Sequence, residues 1–265
     1  MKAPPRTVAI TGADGVLGSR VASLLAGRAL RLIDRTRGHE LDRPSTFEEL
    51  IRGCDAVIHC AALHPLVAPP RTGPAEYASA NVVPLVALLE VARREGVGRL
   101  VLASTTSVWG DAPTDGAARF LDEDVPADAD DGYARSKREC EELTRTLFPA
   151  SAVLRLARFT HRGDIEDDVR LLYRAIDPDD AAAAVVAALD HAPAGALYAI
   201  SAPTPFRPAD AEELATDPAL VIRRRTGHEP AWIPPAIRSV VLSDRATREL
   251  GWRAEHPSTL YRLPR

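Results

Sequence analysis

Tyr133 and Lys137 stand four residues apart in the stretch "YARSK". On a helix that spacing places a phenol and an ammonium one turn from each other. A free phenol titrates near about 10, too high for a base at neutral pH, and a neighbouring cation favours its ionised form. The two residues are therefore a candidate proton-transfer couple. Solvated helix faces carry the same spacing, so the pair gains meaning only from what accompanies it.

What accompanies it is a glycine-rich loop. "TGADGVLG" follows the apolar run "TVAI" and opens a helical pattern. Gly12, Gly15 and Gly18 divide three tasks: a tight turn, close approach of backbone N–H groups to a pyrophosphate, and close packing of helix on sheet. With Asp14, Val16 and Leu17 they form a candidate dinucleotide phosphate loop at a helix N-terminus. Asp34 ends the next apolar run, 22 residues after Gly12. A carboxylate there accepts from an adenosine ribose diol and repels a 2′-phosphate, which favours NAD over NADP. Arg35 argues the other way, because a guanidinium grips a 2′-phosphate.

These residues need a scaffold, and the chain alternates short apolar runs with helical stretches. Strands are expected in "TVAITG", "LRLID", "DAVIHCAAL", "RLVLAST", "SAVLRLARFT" and "ALYAIS". Helices are expected between them, notably over 76–95 and 133–147. Near-continuously apolar strands mark a parallel sheet buried on both faces. The expected fold is α/β, a doubly wound parallel sheet of Rossmann type. Residues 1–202 form the dinucleotide domain with the catalytic residues and a short substrate segment near 160–176. Residues 203–265 are proline-rich and read as a small irregular lid that does not fold alone.

Bulk properties exclude several classes. The chain has 265 residues, 46% apolar and 26% charged, with net charge −4. That balance argues against nucleic acid or an anionic membrane as partner. No apolar run reaches about 18 residues, so no membrane span is expected. The run "TVAITG" begins too early for a signal peptide. Three cysteines without metal spacing, Cys54, Cys60 and Cys140, point to reduced thiols in a cytoplasm. The scattered histidines predict no metal site. "RRR" at 223–225 reads as a solvated patch and 121–131 as an acidic surface loop.

The ordered motifs "TGADGVLG", "LIDR", "DAVIHCAAL", "NVVPLVALLEVA", "LVLASTTSVWG" and "YARSK" resemble the extended short-chain dehydrogenase/reductase superfamily, or NAD-dependent epimerase/dehydratase family. The resemblance runs from residue 7 to about 253 and ends on "SDRATRELGW". It implies that Glu40 and Leu41 edge the adenine and that Cys60, Ala61 and Ala62 pass the cofactor phosphates and ribose. It gives Asn81 a positioning role beside the cofactor. It implies a catalytic set of Thr105, Tyr133 and Lys137, with Thr106 as the neighbour confusable with Thr105. Tyr133 is then acid/base, Lys137 lowers its pKa and serves the nicotinamide ribose, and Thr105 orients the substrate oxygen. Trp109 replaces the usual tyrosine and reshapes the pocket wall.

Only 16 residues separate Thr160 from Asp177. The segment that grips a nucleotide sugar in many members is correspondingly short. The short form resembles uronate dehydrogenases, with Arg170 near the place of their substrate arginine and His64 facing the substrate. Three activities are expected in order: an NAD-dependent oxidoreductase of a sugar-like alcohol or sugar acid; a nucleotide-sugar epimerase or dehydratase; a dinucleotide-sensing protein without turnover. The resemblance also implies a homodimer through helices 76–95 and 133–147.

Overall fold

The computed structural model describes residues 4–110 and 116–261. In chain order its elements are β1 (Thr7–Thr11), α1 (Val16–Leu24), β2 (Ala29–Ile33), α2 (Glu48–Ile51), β3 (Ala56–His59), α3 (Pro74–Arg94), β4 (Arg99–Thr105) and β5 (Arg119–Leu121). There follow α4 (Gly132–Leu147), β6 (Ser151–Leu156), β7 (Arg158–Phe159), α5 (Ile165–Arg170), β8 (Ala175–Ile176), α6 (Pro178–His191) and β9 (Ala196–Ile200). The last are α7 (Ala211–Thr216), α8 (Pro218–Thr226), β10 (Ser239–Val241) and α9 (Asp244–Leu250).

Six strands make one parallel sheet in the order β2-β1-β3-β4-β6-β9. The central β3 and β6 are buried at every residue, whereas the edge strand β2 alternates. One apolar layer joins the sheet to α1, α6 and α9; the other joins it to α2, α3 and α4. This is the doubly wound α/β fold that the alternating pattern predicts. Strand order reverses between β1 and β3, so ligands are directed to the carboxyl ends of β1, β3 and β4.

α3 and α4 lie side by side on one face. α3 begins at Pro74, with the Glu76 carboxylate accepting the Gly73 N–H at 3.0 Å. Tyr77, Asn81, Leu85, Leu88 and Ala92 turn inward at helical spacing. Against the expectation of no membrane span, α3 is long and apolar enough for one by length and composition. Its apolar stretch serves the core instead, packed on α4 and the sheet. α4 starts on the Asp131 cap, whose carboxylate accepts from Ala134 N at 2.9 Å. Gly132 sits there because a Cβ would lie 2.8 Å from the Pro74 Cα.

The chain departs from expectation in three places. "SAVLRLARFT" is not one strand: Ala157 N donates to Ile200 O at 2.8 Å, and the chain then leaves the sheet so that β7 pairs with β8. The tail is not one irregular lid. Its middle forms α7, α8 and β10, with β10 pairing parallel to β5. Its end returns to the main core, where Ala246, Leu250 and Trp252 pack and the Trp252 indole donates to Asp180 O at 3.1 Å. The charge runs are also used inward. Arg224 and Arg225 both hold the buried Asp210, at 3.0 and 2.8 Å. The side chain of Glu123, in the expected acidic surface loop, is buried and accepts from Ala199 N at 2.7 Å.

Packing of the glycine loop is tight enough to test. A Cβ on Gly18 would lie 2.1 Å from Gly12 O, whereas one on Gly27 meets nothing within 4 Å. Overpacking of this kind costs about 1–3 kcal/mol. Gly18→Ala is expected to lower Tm by about 2–10 °C and Gly27→Ala to leave it within error, as read by calorimetry. Equal Tm values for the two variants would contradict the close approach.

Candidate active site

The glycine loop turns at the end of β1. Gly12 has φ +67°, and a Cβ there would lie 2.6 Å from Ala61 N. Loop and β3 end thus touch through backbone, which brings Cys60, Ala61 and Ala62 beside Gly12. No side chain caps the N-terminus of α1, so its first-turn N–H groups are directed to the crevice. A cradle that any Cβ would fill, at an uncapped helix start, fits the pyrophosphate of a dinucleotide. Underneath, His59 Nδ1 and Thr11 Oγ1 hydrogen-bond at 2.7 Å. Burial, with Lys137 nearby, pushes this imidazole down to about 3, so it is neutral.

Asp34 ends β2 as expected and braces the loop. Its carboxylate accepts from Asp14 N at 3.1 Å and Thr36 N at 3.0 Å. Arg37 closes on the Asp14 carboxylate at 2.7 Å and, with Thr36, holds it below the usual carboxylate range. Arg37, two residues beyond the Arg35 that the sequence offers, makes this contact. Glu40 and Leu41 follow in the β2–α2 loop, where Glu40 N donates to Thr46 Oγ1 and Leu41 packs on the core.

Thr105 ends β4, and Tyr133 and Lys137 reach it from the first turns of α4. All three are buried, at 8%, 6% and 2% exposure. Thr105 hydrogen-bonds toward the Tyr133 phenol, which offsets part of the upward push of burial on its pKa. Lys137 Nζ donates to Ala103 O at 2.8 Å, and burial pulls its pKa down. The expected lowering of the phenol by the ammonium is absent here: the ammonium turns to the β4 carbonyl, and burial of the phenol prevails. His64 meets Tyr133 edge-on with ring centroids 5.1 Å apart, and Tyr77 lies at 5.7 Å. Ser107 was missed in the "TTS" run. Its N–H donates to Thr105 Oγ1, and its hydroxyl accepts from it, both at 3.1 Å.

The NAD dependent epimerase/dehydratase family model matches residues 8–162, more than half of the chain. The chain belongs to that family. A dTDP-4-dehydrorhamnose reductase of Mycobacterium tuberculosis is 32% identical over 167 residues, covering 62% of this chain and 54% of the relative. The chain therefore spans about half the length of the curated relatives it matches. A short-chain dehydrogenase/reductase superfamily protein from Agrobacterium tumefaciens, solved with bound NAD, superposes with TM-score 0.70 at 21% identity, covering 95% and 93% of the two chains. A mutated uronate dehydrogenase superposes with TM-score 0.66 at 21% identity, covering 96% and 83%. At that identity the likeness is one of fold.

In this family member Asn81 is spent inside the protein. Its Oδ1 accepts from Leu63 N at 2.7 Å, and its Nδ2 donates to Ser136 Oγ at 3.0 Å and Leu63 O at 3.3 Å. Ser136 Oγ in turn donates to Tyr133 O at 2.7 Å. Asn81 thereby ties the post-β3 loop to the turn bearing Tyr133. Behind Thr105, buried Glu141 accepts from Ser104 Oγ at 2.5 Å and from Arg155 at 2.8 Å. Arg155 lies over the Trp109 ring at 4.8 Å.

Three expected site residues are placed differently. Trp109 is fully buried and donates its indole N–H to Val125 O, so it braces the core at the wall of a cavity shared with Gly110, Arg119 and Asp131. Thr106 is buried at 3% exposure, with its carbonyl accepting from Arg174. Arg170 is engaged inside the protein: it pairs with Glu166 at 2.6 Å and Asp167 at 3.0 Å, and it stacks on Trp232 at 4.9 Å. Both of its terminal nitrogens thus already face protein carboxylates.

Asn81→Ala removes three hydrogen bonds and leaves Leu63 N without its partner. Such losses cost about 1–3 kcal/mol. The variant is expected to melt about 2–10 °C lower. An unchanged Tm would show that Asn81 does not tie loop to helix.

Proposed function

We propose that this chain is a nicotinamide-dependent oxidoreductase acting on a hydroxyl or carbonyl of a small sugar-like molecule. The observation that carries this reading is the meeting of Thr105 and Tyr133 at the end of β4, with Lys137 acting on Cys60, the β3-end residue against which the Gly12 turn packs. Bound NAD supplies the hydride acceptor, and its reduced form the donor. Tyr133 exchanges a proton with the substrate oxygen. Thr105, oriented by Ser107, holds that oxygen in reach of the phenol. Lys137 keeps donors free for a ribose hydroxyl and biases the phenol toward ionisation once a ligand draws it from Ala103 O. The intact set argues against a dinucleotide sensor without turnover.

Asp34 favours NAD: a 2′-phosphate would meet its carboxylate. Arg37, held on Asp14, and Arg35 are the groups that would have to move to accept NADP. The segment after β6 holds one six-residue helix, α5, which supports a small substrate. A nucleotide-sugar epimerase or dehydratase, which borrows and returns the hydride, is the second reading, supported by the family match and by the sugar-nucleotide enzymes among the relatives. Pairing of two copies through α3 and α4 belongs to the same proposal, with Val83 of α3 54% exposed on that side.

The test is a screen of sugars, sugar acids and nucleotide sugars with NAD and NADP, read by accumulation of reduced cofactor. Net reduction of NAD with a small sugar-like alcohol is expected, and NAD is expected to outperform NADP. Isomerised or dehydrated product without reduced cofactor would move the second reading to first place. Oxidation needs the ionised phenol, whose pKa burial raises. Its kcat/KM is therefore expected to rise across about pH 7–9, while carbonyl reduction, which uses the protonated phenol, stays level there.

A further inference from the structure

Arg158 sits at the carboxyl end of the sheet, just past the catalytic level. Leu156 of β6 is the register partner of Thr105 in β4 and of Ile200 in β9. Ala157 makes the last sheet hydrogen bond, and Arg158 follows as the first residue of β7, opposite Ala175. Arg158 therefore lies two residues past the register level of Thr105, where the chain leaves the main sheet. That is the side on which parallel sheets bind ligands.

Its side chain is exposed, and among the described residues it makes no hydrogen bond or ion pair. The arginines around it are all committed. Arg155 serves Glu141, Arg162 serves Asp177 and Asp179, and Arg170 serves Glu166 and Asp167. Arg174 bridges Thr106 O, Gly110 O and Ser239. The carboxylate nearest in Arg158's field, Asp167, has its oxygens taken by Arg170 and by His161 N. The charge of Arg158 acts on His64, Tyr173 and Asp167. His64 is the ring that lies edge-on against Tyr133. The unspent guanidinium thus borders the substrate side of the phenol.

We propose that Arg158 selects the substrate: its guanidinium binds a carboxylate or phosphate group of the molecule whose hydroxyl meets Tyr133. This rests on the oxidoreductase reading for the role of Tyr133. A planar fork takes either anion with two parallel hydrogen bonds and fixes the orientation of a small ligand. Such a ligand needs an orienting contact of this kind to reach a reactive pose. Arg158 takes the task that the sequence placed on Arg170, whose charge the fold has already neutralised.

The experiment titrates NADH-loaded protein with D-glucose, D-glucuronate and D-glucose 6-phosphate by calorimetry. At least one acidic probe is expected to bind about tenfold or more tightly than glucose. Which one does so separates a carboxylate from a phosphate. Arg158→Ala is expected to abolish the preference with NADH affinity and Tm unchanged, and Arg158→Lys to keep only part of it. No preference in the wild type, or the same preference in Arg158→Ala, would overturn the assignment. The wild-type comparison stands without any variant, so a poorly folding substitution does not shield it. A parallel assay of NAD reduction tells the two claims apart. Arg158-dependent binding with no reduction by any probe would sink the oxidoreductase reading alone. Oxidation of neutral and acidic sugars alike, unchanged in Arg158→Ala, would sink this assignment alone.

Discussion

A buried ammonium sets the terms for the rest of the site. Lys137 is 2% exposed, and its ammonium donates to the Ala103 carbonyl. Taking an ammonium from water costs several kcal/mol unless partners offset it. The nearby groups do not offer a free countercharge. His59 is neutral, the Cys60 thiol is pushed up to about 12 by burial, and Glu141 is occupied by Ser104 and Arg155. An ammonium has three donors, and one is used on Ala103. The remaining two point the site toward oxygen-rich ligands and a phenolate, the groups that the proposed chemistry brings to it.

Holding that ammonium in place requires α4 to be fixed at both ends of its first turns. Asp131 caps it, Gly132 lets it approach the start of α3, and Asn81 with Ser136 ties the Tyr133 turn to the loop after β3. Further along, the Glu141–Arg155 pair joins α4 to β6 and, through Ser104, to β4. Removing one member of such a buried pair would strand a charge, which is far costlier than losing a surface pair. The catalytic level of the sheet is therefore over-determined by packing, while the substrate side beyond β6 is held by short elements and exposed residues. Specificity has room to vary there without disturbing the proton-transfer groups.

Much of this was legible in the sequence. Short, near-continuously apolar runs marked the parallel sheet, and the four-residue spacing of Tyr133 and Lys137 put both on one face of a helix, α4. The loop glycines were legible as a spaced triplet between strand and helix, and at Gly12 and Gly18 a Cβ would collide with backbone. The tail was not, since α7 and α9 are six and seven residues long, too short to show a period. The pairing of β10 with β5 joins segments far apart in the chain, which no local pattern reveals. Arg170 was misjudged despite a visible cue: Glu166 and Asp167 stand four and three residues before it, the spacing that neutralises a helical arginine. Arg158 had no cue at all. Its significance lies in the partners it lacks, and only the folded arrangement of its neighbours discloses that.

The central claim is that Tyr133 carries the proton while other groups hold the dinucleotide. Tyr133→Phe removes one oxygen and keeps the ring that packs against His64 and Tyr77. The direct measurement is steady-state turnover of this variant beside its NADH affinity. The account predicts a loss of at least about a hundredfold in kcat with affinity nearly unchanged. Retention of more than about a tenth of the wild-type rate would contradict it, because general acid–base groups contribute about 10²–10⁴-fold.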